Sequence, residues 1–200
     1  MVFEAPDDGT AALPTLRNII VNDRKFATYK LGLLRVFLRI AAEASGMVRR
    51  AEDGAVRIPS GLVCLYWLRN YWAAIVEGMP QMPGQPTAIA ENIRILDSQI
   101  SPYDLRIGSN FSHDPQFLHD TLKKTRKSIT GQGPVKHTTF AGTDQPIFLH
   151  ENAHLWNSVE DLSVDTSDGL ELSPEYLKSF GWISVPGHIF DAMVRHWVWI

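Results

Sequence analysis

The chain of 200 residues has a single cysteine, and that excludes a disulfide framework. Cys64 sits in an apolar run as a small core side chain, which points to a reducing, cytoplasmic compartment. No apolar run approaches the roughly 20 residues of a membrane span. The opening MVFEAPDDGT is acidic and broken by Pro6, unlike a secretory signal. A net charge of −3 excludes an indiscriminately basic polyanion binder, so nucleic-acid contact has to come from a local patch. There is no P-loop, no dinucleotide fingerprint and no serine in a G-x-S-x-G setting, which leaves nucleophilic hydrolase chemistry without support.

What is present is a folded protein, 44% apolar and 20% charged, with the balance of one compact unit rather than a disordered chain. Residues 1–24 read as an N-terminal arm, rich in Pro, Asp and Gly over its first part, and residues 25–200 as a single domain. The stretch KFATYKLGLLRVFLRIAAEAS, Lys25 to Ser45, is apolar around most of a helix. Lys25, Thr28, Gly32, Arg35, Arg39 and Glu43 form its one polar stripe, so neighbours must cover it on at least two sides. The expected fold is mainly α with a small β element, helices gathered around this central buried helix 25–45. Asp53-Gly54 marks a hairpin. A second apolar helix starts at Ser60 as N-cap and runs to Gly78, and a third spans Thr87 to Gln99. Asp114-Pro115 pairs an N-cap with proline at the first helical position, opening a helix to Ile129. A hairpin around residues 141–144, a short helix Pro174 to Ser179, a strand WISV and a helix after Pro186 complete the chain.

Four segments, TYKLGLLRVFLRIA, VRIPSGLVCLYWLRNYW, the TRKSI…GPVKHTTF…PIFL region and ISVPGHIFDAMVRHWVWI, together resemble the N-terminal region of bacterial HNH-endonuclease-type restriction and defence proteins. The resemblance implies a DNA-recognition domain that is not catalytic by itself and needs no cofactor. The HNH nuclease module would follow RHWVWI in a longer natural chain, because no His-Asn-His metal site occurs here. Its partner would be double-stranded DNA, including DNA modified by phosphorothioate or methyl groups, and a homodimer stays open.

The cations that phosphate contact requires group in three places. Lys123, Lys124, Arg126 and Lys127 fall within five residues on what reads as the solvent side of the helix after Asp114, with Lys136 and His137 just beyond. Arg35 and Arg39 lie on the central helix, where Glu43 is an available partner, and Arg49 and Arg50 in the connector before Asp53. A solvated helix face accounts equally for the lysine run.

Two competing readings come from other residues. His150-Glu151-Asn152-Ala153-His154 is a literal H-E-x-x-H. On a helix its histidines would hold zinc, Glu151 would polarise the metal's water, and Glu171 or Glu175 would supply the third ligand of a zincin-type metallopeptidase. Against a helix stand Pro146 and the strand-favouring Ile147-Phe148-Leu149. The second alternative is a protein–protein adaptor using an aromatic surface around Trp67, Tyr71 and Trp72.

Overall fold

The computed structural model describes residues 9–22, 29–79, 89–151 and 168–196. Among them are eight α-helices and six short strands, a mainly helical α+β fold. Helix α1 (Ala12–Arg17) runs into a wider π-helical turn, Asn18–Asn22. Then come α2 (Tyr29–Glu43), the hairpin β1 (Arg49–Arg50) and β2 (Ala55–Pro59), α3 (Ser60–Val76), α4 (Ala90–Asp97) and β3 (Asn110–Phe111). The second half holds α5 (Pro115–Thr130), α6 (Pro134–His137), β4 (Leu149–His150), β5 (Leu170–Glu171), α7 (Pro174–Ser179), β6 (Trp182–Pro186) and α8 (Gly187–Arg195). No helix of the described residues is long and apolar enough to cross a membrane.

The helix expected at the centre is buried through Leu33, Leu34, Val36, Phe37 and Ile40. It shares that centre with α3, where twelve of seventeen residues are buried, and which packs against α2, α4, α5 and α7. Gly32 departs from the expected polar stripe. It is buried against α3, and a β-carbon there would overlap the Tyr71 hydroxyl. The two helices approach closely at the one residue that has no side chain.

Strand order in the larger sheet is β1-β2-β6-β4, antiparallel throughout. Gly54, with φ 79°, makes the β1–β2 turn that Asp53-Gly54 announces. The β2–β6 ladder pairs Ala55 with Pro186 and Pro59 with Trp182. Each of these strands ends in a proline of nearly the same conformation, φ −56° and ψ 128° at Pro59, φ −54° and ψ 129° at Pro186. Each proline stands at the N-cap position of the helix that follows. Ser60 is therefore the first helical residue, not the cap: its N–H donates to Gly181 O at 2.8 Å, and its buried hydroxyl has no partner among the described residues. A second, two-stranded sheet pairs β3 with β5.

The described part of the expected N-terminal arm is not loose. Ala12, Leu16 and Ile19 belong to the hydrophobic core, and α1 packs on α8. Their spacing of three to four residues is that of one helix face. Around residues 141–144 the chain does reverse: Phe140 N–H donates to Gln145 O at 3.0 Å, and Gly142 takes φ 72°. The segment before that turn begins as the short helix α6 rather than a strand.

Candidate nucleic-acid interface

Helix α5 begins as its sequence predicts, the Asp114 carboxylate accepting the Phe117 N–H at 2.9 Å with Pro115 in the first turn. Its inner face is Leu118, Leu122, Thr125 and Ile129, all buried. The threonines tolerate burial because their hydroxyls donate to the backbone one turn earlier: Thr121 to Phe117 O at 2.8 Å, Thr125 to Thr121 O at 2.7 Å, and Thr130 to Arg126 O at 2.9 Å.

The outer face carries Lys124 and Lys127, both exposed. Lys124 Nζ donates to Asn92 Oδ1 of α4 at 2.9 Å, while Lys123 is drawn to Asp120 at 3.8 Å. Past the turn at Gly131-Gln132-Gly133, α6 packs back on α5 and adds the exposed Lys136 and His137. His137 Nε2 lies 3.2 Å from Gln132 Oε1. Lys127 and Lys136 form no ion pair among the described residues. Adjacent helices thus carry Lys124, Lys127, Lys136 and His137, with the exposed Asp120 one turn before Lys124. Lys127 also suits the α5 C-terminus, whose exposed carbonyls favour a cation.

Arg126 does not belong to that face. It follows Leu122 by four residues and Leu118 by eight, which puts it on the inner side. It is 8% exposed, and Nη2 donates to Glu151 O at 3.0 Å. The other arginines are dispersed. Arg35 is exposed on α2, a helix that also contacts α6. Arg39 pairs with Glu43 at 3.2 Å, and Glu43 also reaches Arg69 at 3.5 Å, with Tyr66 beneath both guanidinium groups. Burial, then the Glu43 charge, pushes the Tyr66 hydroxyl pKa up. Arg49 lies 5.5 Å from the Trp182 ring centre, and Arg50 is bonded to Asp191, which raises its pKa. Both are on β1, at the sheet edge opposite β4, and it is β4 that α6 contacts. They are not joined to the lysine surface.

The two described residues of the H-E-x-x-H pattern that matter for zinc, His150 and Glu151, are extended and not helical. His150 ends strand β4, and Glu151 continues the sheet, its N–H donating to Trp182 O at 2.9 Å. A strand turns successive side chains to opposite faces, and the Glu151 carboxylate goes to Arg57 at 3.4 Å. Pro146 and the strand-favouring residues after it decide that local structure. His154 lies outside the described residues. Glu171 belongs to β5 in the other sheet, and Glu175 sits 3.6 Å from Lys178. Burial, and after it the Arg126 charge, holds the His150 pKa below its ordinary value.

Trp67, Tyr71 and Trp72 form no surface, for all three are buried on α3. The Trp72 indole N–H donates to Asp97 Oδ1 at 2.7 Å, and Trp67 stacks obliquely on Tyr71 at 4.8 Å. Arg57 is a residue that sequence reasoning passed over. The alternation of buried Val56 and Ile58 around it is the signal that it leaves the core side of β2.

A family model described as a domain of unknown function, DUF8808, matches residues 9–200. The chain belongs to that family. The matched span takes in every described element, from α1 to α8. No curated protein and no solved structure matches the chain.

Proposed function

We propose that this DUF8808 domain is a DNA-recognition module of an HNH-type restriction or defence endonuclease, working in the cytoplasm and not cutting DNA by itself. The observation that carries the reading is the pairing of α5 and α6. Exposed Lys124, Lys127, Lys136 and His137 stand on adjoining helices of an otherwise acidic chain, and Lys127 and Lys136 have no carboxylate partners among the described residues. Phosphate contacts supply most sequence-independent affinity for a duplex, and such a cation group is their footprint. Electrostatics alone selects no sequence. Preference for phosphorothioate or methylated DNA would come from contacts beyond these lysines.

Gel-shift titration of the domain on a short duplex tests the reading. Charge reversal of Lys124, Lys127 and Lys136 together is expected to abolish the shift while the far-ultraviolet spectrum stays that of the folded protein. An unchanged shift from the folded triple variant rules this surface out. The same titration on plain, methylated and phosphorothioate duplexes reads the modification preference. Sedimentation of the free domain reads whether two copies associate.

A further inference from the structure

A cleft of about 210 Å³ opens where the loop between α4 and β3 meets the residue after β5. Leu105, Phe111 and Leu172, all buried, form its apolar floor. Asp104, Arg106 and His113 line it as well and are exposed, which makes them its rim. Asp104 and Arg106 stand two positions apart, yet they form no ion pair among the described residues. The Arg106 guanidinium and the His113 ring nitrogens have no hydrogen-bond partner there either. Asp104 gives one carboxylate oxygen to the Ser101 N–H at 2.9 Å. The Ser109 hydroxyl lies 2.6 Å from Asp104 O and 2.7 Å from Arg106 O, so it pins the loop that carries both charges. The His113 ring stands edge-on to Phe111, centres 6.0 Å apart.

The cleft is smaller than the roughly 300–1,000 Å³ of sites for drug-sized ligands, which suits a single flat ring system. Such a ring needs apolar contact below, a planar group beside it, and polar partners at its edges. A guanidinium matches the O6 and N7 acceptors of guanine, and a carboxylate accepts from its N1–H and 2-amino donors. Adenine is read instead by an amide side chain. Asn110 lines the same cleft, but its amide N–H donates to Asp168 O at 2.8 Å. We propose that this cleft binds a guanine base, Arg106 and Asp104 reading its two edges and His113 flanking the ring. A free guanine nucleotide and an unpaired guanine in a nucleic-acid strand share that chemistry. Lys124 follows Pro115 by nine positions in α5, roughly 14 Å along the axis at 1.5 Å per residue.

Calorimetric titration of the full 200-residue chain with guanosine, inosine and adenosine monophosphates tests the site. The guanosine nucleotide is expected to bind saturably and roughly tenfold tighter than either of the others. Inosine lacks only the 2-amino group, so its deficit isolates the carboxylate contact. Asp104→Asn keeps an acceptor for the Ser101 N–H and should bring guanosine and inosine nucleotides to equal affinity. Arg106→Gln, at an exposed position, should weaken both alike. Charge reversal at Lys124, Lys127 and Lys136 should leave nucleotide binding in place, which separates failure of the cleft from failure of the duplex surface.

Hairpin oligonucleotides with one bulged guanine, or a bulged inosine in its place, separate the two sources. A bulged guanine bound more tightly than the mononucleotide, with the gain lost in Asp104→Asn, assigns the cleft to nucleic acid. Binding of the mononucleotide without that gain assigns it to a free nucleotide. A protein that binds neither, one that takes all three nucleotides equally, or variants that keep the guanine preference overturn the proposal.

Discussion

The Tyr71 hydroxyl occupies the space that a β-carbon on Gly32 would need. Tyr71 is itself held in the core against Trp67, so it has little room to withdraw. Gly32→Ala gains about 1 kcal/mol of helix propensity and meets an overpacking cost of about 1–3 kcal/mol. The net expectation is a lower urea midpoint. Adding Tyr71→Phe, which removes the closest atom, should recover part of the loss. A Gly32→Ala protein as stable as the parent would mean that α2 and α3 can separate freely.

The Trp72 indole is the polar link between α3 and α4. Asp97→Ala leaves its N–H inside the fold without an acceptor, a loss of about 1–3 kcal/mol. Asp97→Asn keeps an acceptor and should cost less. Chemical denaturation of the two variants gives the comparison, and equal midpoints would show that the bond carries nothing.

His150 gives the stability a pH dependence of known sign. Its folded pKa is lowered from 6.5, so the unfolded chain takes up a proton that the folded chain refuses. Stability from this group is complete above the unfolded value and declines as pH falls from there toward the lowered folded value. His150→Asn should therefore show a shallower fall of melting temperature between about pH 7 and pH 5 than the parent. Groups common to both proteins cancel in that comparison, and parallel curves would contradict the direction of the shift.

If the lysines of α5 and α6 touch phosphate, each leaves a mark on the salt dependence of binding. Lys127→Gln and Lys136→Gln should each reduce the slope of log affinity against log salt by about 1. Arg49→Gln, at the opposite sheet edge, should leave it unchanged. A slope altered equally by all three would point to diffuse attraction with no defined surface.

Local features of the fold were legible because local chemistry makes them. Asp114-Pro115 starts α5, Asp53-Gly54 turns the hairpin, and α7 spans Pro174–Ser179 as expected. The misplacements share one origin, sorting residues by polarity when position on the helix decides. Arg126 has lysines on both sides in sequence, yet its spacing from Leu118 and Leu122 turns it inward. Trp67, Tyr71 and Trp72 looked like a surface because a helix apolar on every side gives no hint of which face is covered. The double engagement of Glu151, its carboxylate with Arg57 and its backbone oxygen with Arg126, had no signature at all. It depends on strands and a helix far apart in sequence, and only tertiary structure brings them together.

The pairing of β2 with β6 has a consequence for how the protein comes into being. The two inner strands of the larger sheet come from opposite ends of the chain, so a ribosome must have made residue 186 before Ala55 can find its partner. Until then β2 has β1 on one side and no neighbour on the other. Such distant pairing slows folding.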